Sequence, residues 1–142
     1  KMVDGVQTEG TFRSHQVPLA DVRERPEPTT WSPLEYSAHS RDVLVVMRER
    51  LGLMLAEDGT TFPGWDQDAA AVSGRYWELD PARVADEYAA EVAATANAFD
   101  EVQESEWSRR GSRDGTAFTV ATLAAYLLHD IEHHLVDVGI TR

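Results

Sequence analysis

The sequence predicts an all-α protein built as a four-helix bundle, and three observations support this prediction. Apolar residues recur at helical spacing in three separate segments. Two of these segments open with a polar residue followed by proline, Ser32-Pro33 and Asp80-Pro81, which is typical of a helix N-terminus. No segment shows the apolar–polar alternation of a half-buried strand. With 142 residues, the chain is expected to form one domain over residues 1–142.

The first strong helix is expected to start after Ser32 and to run to about Leu55 or Glu57. Ser32 is a natural N-cap, and Glu35 completes a capping box with it. His39 falls on the apolar stripe of this helix, and a histidine that points into a core needs a hydrogen bond or a metal ion. The stripe consists of Leu34, Ala38, Val43, Val46, Met47, Leu51 and Met54.

Two further helices are predicted towards the C-terminus. One starts at Asp80-Pro81 and runs to about Glu104, and the other is capped by Thr119 and ends near Gly139. Residues 107–117 are polar, contain two glycines and are predicted to be a loop.

The rest of the chain carries weaker signals. Residues 65–77 can form one or two helical turns, and their large aromatic residues are expected to be buried or to line a pocket. Residues 1–30 are weakly defined, although residues 17–22 offer one short apolar helix face that would be the first helix of the bundle.

Composition limits the range of partners. Thirteen basic residues against 25 acidic ones give a net charge of −12, which opposes binding to nucleic acid and to anionic membranes. No run approaches the roughly 18 apolar residues of a membrane span. The chain has no cysteine, which excludes disulfides and thiolate metal sites and fits a cytoplasmic protein. The expected partner is a small-molecule substrate.

Three of the five histidines lie within residues 129–134. His129 and His133 are four residues apart, so on a helix they share one face and can bind one metal ion. The alternative is a histidine cluster without a ligand. In a bundle, His39 from a facing helix can join them. Three imidazoles leave an open coordination position, which suits catalysis.

Neighbouring side chains can support these ligands, because metal-bound histidines usually donate their second ring N–H to a carboxylate or carbonyl. The candidates for this role are Glu35, Asp42, Asp130 and Glu132. His134 lies about a third of a turn from His133 and is expected to pack or to support the ligands. Imidazole suits zinc, nickel, copper and iron, with zinc or nickel the expected ions.

Two segments resemble one known family. The stretch from Trp31 to His39 resembles the W-S-x-x-E-x-x-x-H segment of the DinB/YfiT-like metal-binding superfamily, and residues 129–134 resemble its closing H-x-x-x-H helix. Residues 41–44 and 61–68 resemble an actinobacterial branch of it. The resemblance extends over residues 23–138.

This resemblance implies an up-down-down-up four-helix bundle, often dimeric, with a divalent metal on His39, His129 and His133. Better-characterised relatives transfer low-molecular-weight thiols, with the metal holding the thiolate. Mycothiol in actinobacteria and bacillithiol in bacilli are the typical thiols. The sequence departs from this pattern in residues 1–22, which offer a shorter first helix than relatives usually have.

Three functions are compatible with these observations. The leading hypothesis is a metal-dependent thiol S-transferase of the mycothiol type, which uses the thiol as co-substrate. The second is a metal-assisted hydrolase, in which a nearby carboxylate acts as base. The third is a non-catalytic bundle that binds a small ligand or a protein partner.

Overall fold

The structure is a computed structural model that describes the backbone of residues 21–137 and the side chains of residues 22–130. The predicted helical segment at residues 17–22 lies almost wholly outside this range. Within it, four α-helices make up most of the chain. They are α1 (Pro33–Ala56), α2 (Gln67–Ser73), α3 (Pro81–Asp100) and α4 (Val120–Asp137). Short 3-10 turns lie at Asp21–Arg23, Tyr76–Glu78 and Glu104–Glu106.

The start of α1 confirms the predicted capping box. The Ser32 hydroxyl accepts a hydrogen bond from the Glu35 backbone N–H at 3.1 Å, and the Ser32 N–H donates to the Glu35 carboxylate at 2.9 Å. Pro33 occupies the first helical position. The helix ends at Ala56, within the predicted limits. These contacts satisfy backbone donors that the helix itself leaves without partners.

The later helices also start at the predicted caps. The Asp80 carboxylate accepts from the Arg83 N–H at 3.3 Å, and the Thr119 hydroxyl accepts from the Thr122 N–H at 3.1 Å. However, α3 ends at Asp100, four residues before the predicted end. The chain leaves the helix there, and Val102 packs into the core with 8% of its surface exposed.

A small sheet corrects the all-α prediction. It contains β1 (Thr60–Thr61), β2 (Arg110–Arg113) and β3 (Thr116–Thr119). β2 and β3 form an antiparallel hairpin, and β1 pairs with β2 in parallel. The prediction that residues 107–117 form a loop was therefore wrong. The turn is made by Asp114 and Gly115, whose φ angles are both positive at 49° and 84°. Two such residues match the twist of a tight hairpin.

The core lies on both sides of α1. The larger cluster joins α1 to α4, to the sheet and to Val102, and α3 covers it. The smaller cluster joins the first turns of α1 to α2, to the 3-10 turn at Tyr76–Glu78 and to the start of α3. The larger cluster consists of Val43, Leu44, Met47, Leu51, Met54, Phe62, Val102, Val120, Leu123 and Leu127.

Helix α4 runs back along α1 in the opposite direction. Its N-terminus lies beside the end of α1, because the Arg109 side chain donates to the Leu55 carbonyl at 2.9 Å and the Arg109 carbonyl accepts from Val120. Further along, Leu44 in the middle of α1 lines the same pocket as Leu127 and its neighbours in α4. No helix in the described part of the chain is long and apolar enough to cross a bilayer.

Candidate metal centre

His39 is buried in α1 between two indole rings. Only 1% of its surface is exposed. The ring of Trp65 stacks on its imidazole with the centroids 5.6 Å apart and the planes 13° from parallel. The ring of Trp31 lies on another side at 5.0 Å, tilted by 50°. An aromatic ring packs against each of these two sides, so the imidazole ring of His39 is held in one orientation.

The helix register brings part of α4 to the level of His39. Leu44 lines one pocket together with Ala124, Leu127 and Leu128. His39 lies five residues before Leu44 on α1. Because α4 runs in the opposite direction, the same distance along the axis corresponds to a step of five residues forward on α4, from residues 124–128 to residues 129–133. On straight antiparallel helices this register would bring the backbone of residues 129–133 to the level of His39.

The predicted ligands are described to different extents. His129 is exposed on α4, and Asp130 beside it is half-buried. Glu132, His133 and His134 have side chains outside the described residues, so their predicted roles stay predictions. Among side chains of residues 22–130, no group of three His, Asp or Glu is arranged to hold a metal ion. The two described imidazoles come from facing helices and are the donor type that fits zinc or nickel.

Glu35, predicted to support a ligand, makes its described contacts with Arg25 and Ser32. Arg25 donates from Nε and Nη2 to the two carboxylate oxygens at 2.8 and 2.6 Å. These hydrogen bonds, together with those from Ser32, lower the pKa of Glu35. Glu35 is 1% exposed and carries its negative charge inside the protein. It thereby holds the segment before α1 against the helix.

Asp42, the second predicted supporting residue of α1, is engaged with Tyr76 and Arg41. The Tyr76 hydroxyl donates to one carboxylate oxygen, and Arg41 donates to the other at 2.9 Å. Arg41 also binds Glu87 of α3 at 2.8 Å. Burial and the hydrogen bond to Asp42 raise the pKa of Tyr76, so the phenol remains a donor. This network joins α1, α3 and the 3-10 turn between α2 and α3.

The aromatic residues of the segment after β1 differ in burial. Tyr76 is fully buried, as predicted, whereas Trp65 is only half-buried, against His39. Trp77 is 43% exposed, so the prediction that it is buried was wrong. Its ring instead carries the guanidinium of Arg75 at 5.5 Å.

Sequence reasoning did not single out Arg50. Its side chain is 5% exposed and donates to the Pro63 carbonyl at 3.2 Å. Its guanidinium lies over the ring of Phe62 at 5.0 Å. The sequence spacing could have indicated the position of Arg50. It follows His39 by eleven residues, or about three full helical turns, so the two residues lie on the same face of α1.

The chain belongs to the DinB superfamily, whose family model matches residues 7–137. This confirms the superfamily that the segments around His39 and at residues 129–134 resemble. No curated protein matches the chain.

The fold is similar to that of YfiT from Bacillus subtilis, with a TM-score of 0.75 and 15% sequence identity. The match covers 86% of this chain and 71% of the YfiT chain. YfiT is described as a "probable metal-dependent hydrolase with an unusual four-helix bundle topology". At this identity the likeness concerns the fold, and it agrees with the predicted four-helix bundle.

Proposed function

We propose that this protein is a divalent-metal-dependent enzyme acting on a small molecule, with zinc or nickel held by His39, His129 and His133. The observation that supports the proposal is the burial of His39 on α1, a helix that packs against α4, the helix that carries His129 and His133. We also propose that the helices follow the order up-down-down-up and that the protein is a cytoplasmic homodimer. Nucleic acid and membranes are not among the proposed partners.

The chemistry of such a site follows from its ligands. Three neutral imidazoles leave at least one coordination position open. When bound, the ion lowers the pKa of a thiol or water in that position and supplies a nucleophile at neutral pH. The indole rings of Trp31 and Trp65 exclude water from the His39 side and hold its ring in place.

Transfer of a low-molecular-weight thiol of the mycothiol type is the reaction that we propose first. The two carboxylates of α1 nearest to His39 are already engaged, Glu35 with Arg25 and Asp42 with Tyr76 and Arg41. Neither is therefore well placed to act as a general base. A thiol needs no strong base, because its pKa of about 8.5 is far below that of water.

Hydrolysis is the second candidate, and the description of YfiT as a probable metal-dependent hydrolase favours it. In this chain, Asp130 or Glu132 of α4 would have to serve as the base. Turnover of an ester or amide substrate in the absence of any thiol would favour hydrolysis over transfer.

The metal site can be tested by elemental analysis of the untagged protein purified without chelator. We expect about one zinc or nickel ion per chain in the wild type and in a His15→Ala control, since His15 is a histidine outside the predicted ligand set. His129→Ala should lose the metal, since it removes one of three ligands. His129 is exposed, so this substitution should leave the fold and the circular dichroism spectrum unchanged. A wild-type protein that neither contains metal nor takes it up on titration would leave only the non-catalytic binding bundle.

A further inference from the structure

Arg50 is a buried cation that forms no salt bridge with a described residue. Its side chain is 5% exposed, and its described hydrogen bond goes to the neutral Pro63 carbonyl. The ion pairs between described residues involve other arginines. Burial and the like charge of Arg113 lower the pKa of Arg50, and the opposite charge of Asp114 only partly offsets this. A buried charge that forms no salt bridge is costly, so an anion beside it would be stabilising.

Arg113 of β2 supplies a second cation, whose charge acts on Arg50. Its guanidinium lies over the ring of Phe118 at 5.7 Å, and Phe118 is 6.3 Å from Phe62, the ring beneath Arg50. The backbone brings them together as well. Arg50 binds the Pro63 carbonyl, and a methyl group placed on the next residue, Gly64, would lie 3.8 Å from Arg113 Cδ.

A partly exposed ring and one described carboxylate lie near this pair. Tyr126 of α4 packs edge-on against Phe118 with 45% of its surface exposed. The Asp114 carboxylate lies beside Gly64, 3.1 Å from the position of an added methyl group. Among the described side chains named here, two guanidinium groups and one carboxylate give an excess of one positive charge in a chain whose net charge is −12.

The arginine pair lies on the same side of the bundle as the candidate metal centre. Residues 62–65 run along α1, since Phe62 contacts Arg50 and Trp65 stacks on His39. His39 and Arg50 share one helix face, and their levels along α1 differ by about 16 Å. On α4, Tyr126 and His129 are three residues apart and are neighbours on the helix surface.

We propose that Arg50 and Arg113 bind a carboxylate or phosphate group at one end of an elongated substrate whose reactive end lies at His39 and His129. The substrate class is thus a small molecule that carries an oxyanion far from its reacting atom. The planar guanidinium fork matches two oxygens of either group, and the neighbouring rings keep the two arginines in place. The assignment of this anion to the substrate rests on the proposed function, whereas the anion site itself does not require the metal.

The test is a titration of the metal-free protein with inorganic phosphate and, separately, with succinate at constant ionic strength. The side-chain Nε–Hε signals of arginine in NMR spectra report binding. We expect saturable shifts for at least one of the two anions. Arg113→Gln should weaken binding about tenfold, because it removes one charged fork. The matched control is Arg110→Gln on the same strand, whose side chain is 70% exposed and pairs with Asp58. This control should bind as the wild type does.

Arg50→Lys is the second variant, because it keeps the buried charge and removes only the fork. It should also weaken binding while the protein stays folded. Binding of phosphate alone or succinate alone supports the site and identifies its oxyanion. No saturable binding, or equal weakening in Arg113→Gln and Arg110→Gln, overturns the proposal.

Metal content distinguishes this proposal from the proposed function. His129→Ala should bind the anion like the wild type, because the metal ligands are not part of the anion site. Metal binding without anion binding refutes the arginine site and leaves the metal centre intact. Anion binding by a chain that takes up no metal supports the site but refutes its place in a metal-dependent reaction.

Discussion

The indole ring of Trp65 lies parallel to the imidazole of His39, with 5.6 Å between the ring centroids. Trp65 belongs to the segment between β1 and α2, so a residue far along the chain orients the proposed ligand. Trp65→Leu should weaken zinc or nickel binding about three- to tenfold, since stacked aromatic pairs contribute about 0.5–1.5 kcal/mol. Trp65→Phe should retain most of the affinity. Isothermal titration calorimetry measures both.

Trp77→Leu is the matched control for this series. Trp77 is 43% exposed, and its ring contacts Arg75, so its loss should leave metal affinity unchanged. If Trp65→Leu and Trp77→Leu bind the metal equally well, the stacking does not orient His39.

The ion pair between Arg25 and Glu35 should make stability depend on acid pH. Because the pKa of Glu35 is lowered in the folded state, the unfolded state binds more protons between that lowered pKa and about pH 4.3. The contribution to stability is therefore present above about pH 4.3 and is lost as pH falls through the folded-state pKa. Arg25→Gln should cost about 2 kcal/mol at pH 7, because it leaves a buried carboxylate poorly paired. Its stability should also change less between pH 5 and pH 3. Urea unfolding at several pH values measures both effects.

Arg83→Gln provides the comparison for Arg25. The Arg83 side chain is 78% exposed and pairs with Glu87 at 3.4 Å, so its loss should cost less than about 0.5 kcal/mol. If both substitutions lower the free energy of unfolding by the same amount, the burial of Glu35 does not strengthen its contact with Arg25.

The hydrogen bond from Tyr76 to Asp42 should contribute to stability at neutral pH. Tyr76→Phe keeps the buried ring and removes the hydroxyl, at a cost of about 1–2 kcal/mol for a bond to a charged acceptor. Tyr88→Phe is the control, because burial alone raises the pKa of Tyr88 and no described residue hydrogen-bonds to its hydroxyl. Thermal unfolding should separate the two variants. A Tyr76→Phe protein as stable as Tyr88→Phe would contradict the prediction.

Gly111 should tolerate no side chain. A methyl group there would lie 2.7 Å from Met54 Cγ and 2.8 Å from a Phe62 ring carbon, both in the core. Gly111→Ala should therefore lower the free energy of unfolding by about 1–3 kcal/mol. Gly52→Ala in α1 meets no atom within 4 Å and should raise it by up to about 1 kcal/mol. Urea unfolding curves of both variants measure the two effects, and a stable Gly111→Ala protein would contradict the packing.

Part of the fold could be predicted because it depends on neighbours in sequence. The N-caps of α1 and α3 involve residues at most three positions apart, so Ser32, Glu35 and Asp80 were recognised from sequence alone. The hairpin was missed, although Asp114-Gly115 is a turn signal, because strands of four residues are too short to show alternation. The pairing of Thr60 with Gly111 joins distant segments, and no local pattern encodes it.

The candidate site, too, could be predicted only in part from the sequence. The sequence by itself determined the superfamily, the helix that carries His39 and the four-residue spacing of His129 and His133, because these depend on local residue patterns. Only the tertiary structure decided that Trp65 stacks on His39, that Arg25 pairs with Glu35 and that Arg50 is buried beside Arg113. Such contacts depend on the path of the chain between elements, and that path is set by packing of the whole domain.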